Sequence, residues 1–180
     1  SVINFLLAMR NKNLMAPHDK LLAVTTLSFD IAVLELYLPL ISGGSIYLAT
    51  SSEAMDGQVL KNILETKKIS LMQATPSTWR LLLASGWKGD KSLKILCGGE
   101  AFPIDLAKTL TPICLEVWNM YGPTETTVWS SCKRLLPMDE VITIGSGIDN
   151  TLLYILDENH KHRPIGASGE LFIGGIGLAK

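Results

Sequence analysis

The residues best suited to chemistry lie in the run Asn119-Met120-Tyr121-Gly122-Pro123-Thr124-Glu125-Thr126-Thr127, which joins an aromatic ring, a Gly-Pro turn, hydroxyls and one carboxylate directly after a strand-like segment. This set suits a nucleotide. The Tyr121 ring offers a flat face to a base, Asn119 an amide to a purine edge, Thr124 a hydroxyl to a phosphate, and Glu125 an oxygen ligand to magnesium. The same residues could instead form a plain Gly-Pro turn whose Thr and Glu cap a neighbouring element. Asp30 stands between Phe29 and the apolar run Ile31 to Leu34, where a carboxylate is either a helix N-cap or the anchor of a buried cation. The glycine-rich run GELFIGGIGLA at 169–179 matches neither the phosphate-loop spacing nor the dinucleotide fingerprint, and taken alone it reads as a structural turn. His160 and His162, in the polar loop DENHKHR, and His18, after Pro17, lack further ligands nearby and are expected to hold no metal.

These residues need elements to position them, and periodicity supplies alternating helices and strands up to about residue 140. Asn4 to Met9 is helix-like, Leu21 to Thr25 reads as a buried strand, and Ile31 to Leu40 is a helix with Val33, Leu34, Tyr37 and Leu38 on one face. A Ser42-Gly43-Gly44 turn leads to a strand at Ser45 to Leu48. A helix over Gln58 to Thr66 and a strand at Ile69 to Gln73 follow. Pro76 starts a helix that runs to Ala84, Leu93 to Cys97 is a strand ending in Gly98-Gly99, and Pro103 opens another helix. Leu115 to Trp118 and Thr127 to Lys133 are expected strands around a polar loop, with later antiparallel strands at Thr151 to Leu156 and Glu170 to Ile173. The fold class is α/β, with an α/β layer over about 1–140 and a β-rich segment over about 141–180. In open α/β sheets ligands collect beyond the carboxyl ends of strands. Phe29-Asp30, Gln73, Gly98 to Ala101 and Asn119 to Glu125 all fall at such ends.

Composition narrows the function classes. The 180 residues carry 16 basic and 17 acidic side chains, a net charge of -1, so no electropositive field is available to grip nucleic acid or an anionic membrane. The longest charge-free stretch, Leu36 to Ser52, has 17 residues and is broken by Pro39, Gly43 and Gly44, too short to span a bilayer. Cys97, Cys114 and Cys132 are widely spaced in apolar settings, which points to reduced, buried thiols and a cytoplasmic location. The absence of a basic n-region before Ser1's apolar neighbours, and of any terminating signal at Lys180, is expected of an internal piece of a longer chain.

Four segments in order, TTLSFDIAVLELYLP at 25–39, LKILCGGEA at 93–101, NMYGPTETT at 119–127 and GELFIGGIGLA at 169–179, resemble the core motifs of adenylation domains from nonribosomal peptide synthetases. These belong to the adenylate-forming, AMP-binding superfamily shared with acyl-CoA ligases and luciferase, and the likeness covers nearly the whole chain. The resemblance implies the central part of the large N-terminal subdomain, an α/β layer running into a distorted β-barrel. It implies formation of an aminoacyl adenylate from an amino acid and ATP, then transfer to the phosphopantetheine thiol of a peptidyl carrier protein domain, beside a condensation domain of the same synthetase. By that likeness Tyr121 stacks on adenine opposite the Gly99-Glu100-Ala101 backbone, Asn119 meets the adenine amine, Gly122 belongs to the ATP site, Thr124 meets the phosphates, and Glu125 holds Mg2+. An acyl or aryl acid ligase of the same superfamily, or a non-catalytic remnant, are the alternatives.

The resemblance also assigns a substrate pocket: Asp30, Ile31, Leu34, Gln73, Leu96, Gly98, Met120, Val128 and Trp129. Asp30 is the position that pairs with the ammonium of an α-amino acid, a requirement that aryl and fatty acids lack. No other member of the set is charged, which argues against charged substrate side chains. Leu34, Met120 and Trp129 are bulky, so the expected substrate is glycine or another small neutral amino acid, selected by clash with a filled pocket. The Gln73 amide either meets a polar substrate group or bonds to backbone. Trp129, on a strand, and Leu34, on an apolar helix face, could also be plain core residues. Gly147 stands where relatives usually carry a proline, which loosens the stretch from Ile144 to Ile148. The phosphate loop, the ribose-binding aspartate and the C-terminal lysine of the superfamily fall outside these residues, so the chain alone is not expected to turn over.

Overall fold

The computed structural model describes residues 1–179; Lys180, at the end of the expected β-rich segment, lies outside the described residues. The elements in chain order are α1 (Val2–Asn11), β1 (Lys20–Ala23), α2 (Ala32–Ser42), β2 (Ser45–Leu48), α3 (Ser51–Ala54), α4 (Gly57–Thr66), β3 (Leu71–Ala74), α5 (Pro76–Ala84), β4 (Asp90–Cys97), α6 (Ile104–Leu110), β5 (Cys114–Tyr121), a 3-10 turn (Thr124–Thr126), β6 (Ser131–Leu135), β7 (Ser146–Gly147), β8 (Thr151–Leu156) and β9 (Glu170–Gly175). Local chemistry sets several of these ends. Asp56 caps α4 by accepting from the Gln58 and Val59 amides, Thr50 and Glu53 close a capping box on α3, and Pro76 occupies the first turn of α5. Helix α2 stops at Gly43, whose φ of 74° is the left-handed conformation that a Cβ would disfavour.

Seven strands form one sheet in the order β2-β1-β3-β4-β5-β6-β7, parallel from β2 to β5 and antiparallel at β6 and β7; β8 and β9 make a separate antiparallel hairpin. Alternation along the parallel strands sends Leu22, Met72, Ile95 and Val117 to one face, where α4, α5 and α6 bury Leu60, Ile63, Trp79, Leu82, Leu106 and Leu110. Leu21, Leu71, Leu96 and Met120 go to the other face with Phe5 and Met9 of α1 and Leu34 and Leu38 of α2. The helices that follow β1 and β3 therefore lie on opposite faces. This makes the carboxyl ends of those neighbouring strands a topological switch point. The α/β expectation holds.

Three sequence expectations change. Tyr37 does not share the buried face of α2 with Leu34 and Leu38 but is exposed, whereas Val33 is half-buried against that cluster, and Glu35 is buried as well. The strand expected at Thr127 to Lys133 begins only at Ser131, because Thr127 and Val128 have φ of 65° and 66°, so Trp129 sits in a loop rather than on a strand. Gly147 does not leave its segment loose: it lies in β7, paired with Ser131, and a Cβ on it would stand 2.6 Å from the Thr151 carbonyl oxygen.

Candidate active site

Strand β5 delivers Asn119, Met120 and Tyr121 to the carboxyl edge of the sheet, and the chain turns back at Gly122. A Cβ at Gly122 would stand 2.5 Å from the Val128 carbonyl oxygen and 2.6 Å from the Ser130 nitrogen, so only glycine lets the two limbs of this loop meet. The Ser130 amide closes the loop on the Tyr121 carbonyl at 2.8 Å. Inside it, Thr126 donates to the Pro123 carbonyl at 3.0 Å and shares a short hydrogen bond with the Ser130 hydroxyl. Two successive β-branched-or-hydroxyl residues, Thr127 and Val128, are held in the left-handed region. Such strain persists only where surrounding structure enforces it. The run from Gly169 contributes part of that enforcement, since Thr127 Oγ1 donates to the Gly177 carbonyl at 2.6 Å and the Ala179 amide to the Glu125 carbonyl at 2.8 Å.

A cavity of 480 Å³ opens at this edge, lined by Gly99, Glu100, Ala101 and Phe102 after β4, by Asn119 to Pro123, by Trp129, and by Ile142 and Ile144. Its chemistry is that of a slot for a flat, weakly polar group. The Tyr121 ring is 37% exposed and available for stacking. Asn119 Nδ2 donates to the Thr143 carbonyl at 2.9 Å, and Oδ1 accepts nothing among the described residues. The amide is thereby held with its acceptor free, as an exocyclic amine would require. Ser77 donates to the Glu100 carboxylate at 3.1 Å, which steadies the opposite wall.

Of the expected nucleotide-binding residues, Gly99, Glu100, Ala101, Asn119, Tyr121 and Gly122 line this one cavity, with Thr124 and Glu125 just beyond it on the exposed 3-10 turn. Glu125 offers one exposed carboxylate, and no group of three or more His, Cys, Asp or Glu that could cage a metal occurs among the described residues. This donor set fits Mg2+, which typically takes one or two carboxylates and fills its remaining positions with phosphate oxygens and water.

Of the expected pocket, Met120 and Trp129 reach the cavity wall, whereas Ile31, Leu34, Leu96 and Val128 pack with them in a single buried cluster. Trp129 is 1% exposed, and its indole fills the space over Gly98, where a Cβ would stand 2.5 Å from Cη2. Asp30 lies half-buried in the turn before α2, and it is not the cap: the N-cap residue is Ile31, without a side-chain bond. The Asp30 carboxylate makes no hydrogen bond or ion pair among the described residues. The neighbouring Phe29 ring comes within 4.0 Å of a Cβ built on Gly99, which puts this turn beside the Gly98-Gly99 wall. Gln73 is fully buried and its amide is spent on protein: Nε2 donates to the Ile31 carbonyl at 2.8 Å and to Glu35 at 3.1 Å, and Oε1 accepts from Trp129 Nε1 at 2.8 Å.

Glu35 is the residue that the sequence reading missed. It is fully buried, accepting from the Val24 and Thr25 amides at 3.0 Å each, from Thr25 Oγ1 at 2.6 Å and from Gln73. Burial pushes its carboxyl above the usual range, and the hydrogen bonds from Thr25, Gln73 and Val24 oppose that shift. The available signal was a lone carboxylate at the head of the long charge-free stretch. The three cysteines are free and buried; burial raises all three thiols, that of Cys114 to about 11. No helix among the described residues is long and apolar enough to cross a membrane.

The family model of the AMP-binding enzymes matches residues 1–180. The chain belongs to the AMP-binding enzyme family. Among curated relatives, this AMP-binding chain is 44% identical over 181 residues to a dimodular nonribosomal peptide synthase of Bacillus subtilis (strain 168), covering 100% of the chain and 8% of that protein. It is 40% identical over 182 residues to the PKS-NRPS hybrid synthetase acdB of Aspergillus candidus, covering 99% of the chain and 7% of that protein. A crystal structure of a four-domain nonribosomal peptide synthetase bound to AMP and glycine superposes with a TM-score of 0.95 at 46% identity, covering 98% of the chain and 13% of that protein. The AMP-binding chain thus has the fold of a nonribosomal peptide synthetase adenylation domain and spans less than a tenth of these two curated relatives' length.

Proposed function

We propose that this chain is the substrate-selecting part of an adenylation domain that activates glycine with ATP and passes it to the phosphopantetheine thiol of a peptidyl carrier domain in the same synthetase. The observation that carries the reading is the Trp129 indole seated on Gly98 at the wall of the nucleotide cavity, with Met120, Leu34 and Leu96 packed in the same cluster. A crevice so filled leaves room beyond an α-carbon for hydrogen and little else. Attraction alone separates amino acids that differ by one methylene by about 1–3 kcal/mol, so exclusion by bulk is the effective device. The solved synthetase with AMP and glycine, at 46% identity, supports the same choice.

In this reading the free carboxylate of Asp30 receives the substrate ammonium and so turns the substrate carboxylate toward the nucleotide cavity. Adenine lies between the Tyr121 ring and the Gly99 to Ala101 backbone, with its amine donating to Asn119 Oδ1. A substrate carboxylate oxygen attacks the α-phosphorus, the bond to the bridging oxygen of pyrophosphate breaks, and the mixed anhydride and pyrophosphate result. Two anions must approach, so the protein's work is alignment and shielding of charge by the Thr124 hydroxyl and neighbouring amides. Glu125 would hold Mg2+, which supplies charge neutralisation on the phosphates when bound. The test is amino-acid-dependent ATP–pyrophosphate exchange by the parent synthetase across a panel of amino acids. Glycine should give the highest kcat/KM, with alanine next and larger residues near background; exchange that favours a bulky or charged amino acid would sink the assignment.

A further inference from the structure

A chain of hydrogen bonds runs from the pocket wall into the protein: Trp129 Nε1 donates to Gln73 Oε1 at 2.8 Å, Gln73 Nε2 donates to Glu35 Oε1 at 3.1 Å, and Glu35 Oε1 also receives the Thr25 hydroxyl at 2.6 Å. The donors converge on Glu35, from Trp129 through Gln73 on one side and from Thr25 on the other. From this we propose that Glu35 is a specificity-positioning residue: it touches no substrate, but by fixing which way the Gln73 amide faces it holds the Trp129 indole in the crevice. The proposal rests on the small-amino-acid reading above.

The direction of the chain follows from what each atom can do. The backbone amides of Val24 and Thr25 can only donate, and both donate to Glu35 Oε2 at 3.0 Å, so that oxygen must be an acceptor. Oε1 then faces Gln73, and it offers a lone pair whether the group is ionised or protonated toward Thr25 Oγ1. The Gln73 NH2 must therefore point at Glu35 and at the Ile31 carbonyl, 2.8 Å away, which leaves its oxygen directed at the indole. A reversed amide would set N–H against the indole N–H and oxygen against the Ile31 carbonyl. Glu35, Gln73 and Trp129 are 0–1% exposed, so water is not at hand to repair a broken link. An aromatic plug held only by packing can tilt; one pinned by its N–H cannot do so without losing a buried bond.

Glu35→Gln tests this, because its own NH2 must face either the two backbone amides or the Gln73 NH2, and each choice opposes donor to donor. The assay is pyrophosphate exchange by the full-length parent synthetase, read as the ratio of kcat/KM for glycine to that for alanine, which does not depend on how much enzyme folds. Glu35→Gln should lower the ratio by about three- to tenfold, the scale of one lost buried hydrogen bond. In a Trp129→Phe background, which lacks the indole N–H, the same substitution should change the ratio by less than about twofold. If Glu35→Gln accumulates too poorly to assay, Gln73→Met, which cuts the link between Glu35 and the indole and leaves the Val24 and Thr25 donors to Glu35 in place, should lower the ratio in the same way, with less effect in the Trp129→Phe background. An unchanged ratio in the variant assayed, or an equal change with and without the indole N–H, overturns the proposal. Should the parent prefer another amino acid, the glycine assignment fails by itself, and the cycle is scored on that amino acid and its homologue one methylene larger.

Discussion

Replacing Gly98 by alanine puts the filled-crevice explanation under direct strain. The added Cβ would lie 2.5 Å from Trp129 Cη2, 3.0 Å from Cζ3 and 2.7 Å from the Met120 carbonyl oxygen. Ordinary contacts between such atoms are roughly 3.5–4.0 Å, so each overlaps by on the order of 1 Å. Neither neighbour yields easily. Met120 is backbone in β5, paired with Cys132 of β6, and the indole is pinned through Nε1 to Gln73. Overpacking of this kind costs about 1–3 kcal/mol. If the indole is displaced into the space meant for substrate, that cost falls on binding and corresponds to roughly a 5- to 150-fold loss in kcat/KM for glycine. The assay is glycine-dependent pyrophosphate exchange by the parent synthetase, alongside its melting temperature. Gly174→Ala serves as the control, because a Cβ there meets only Tyr154 Cε2 at 3.7 Å and Leu152 Cβ at 3.9 Å. Glycine kinetics for Gly98→Ala equal to those of Gly174→Ala would refute the account.

Other expectations follow from the same geometry. Asp30→Asn in the parent synthetase should raise KM for glycine by at least about a hundredfold, since breaking a buried ion pair typically costs about 3–5 kcal/mol, and should leave KM for ATP unchanged; an unaltered glycine KM removes the ammonium assignment. Tyr121→Ala should weaken ATP binding by about 1–3 kcal/mol, the usual worth of stacking a base on an aromatic ring, while Tyr121→Phe keeps most of it; equal ATP KM values for both variants would exclude stacking. The folded Cys114 thiol, raised from an ordinary 9.0 to about 11 by burial, holds its proton more tightly than the unfolded chain does. Its contribution to stability is therefore constant below about pH 9 and is lost as pH rises from there toward 11. At pH 8 the native chain should resist alkylation at all three cysteines while the denatured chain labels fully, as mass spectrometry can count; fast native labelling would contradict the burial.

The sequence by itself determined the α/β class and most of the elements, because apolar period and turn chemistry are local: Pro76 and the Ser42-Gly43-Gly44 turn mark ends that the structure keeps. The motif from Asn119 to Thr127 likewise marked a segment of interest at a strand end, and Asn119 to Pro123 form one wall of the cavity there. What only the tertiary structure decided were the relations between distant segments. Trp129 is carried in a loop whose positive φ values no pattern reveals, and it meets Gln73 and Gly98 only because β3, β4 and β5 are neighbours in the sheet. Glu35 reads as an unremarkable helix residue until four donors, from Val24, Thr25 and Gln73, are seen to converge on it. Hydrophobic periodicity sorts side chains between inside and outside, but the direction of a buried hydrogen bond depends on partners tens of residues away, which one-dimensional spacing does not encode.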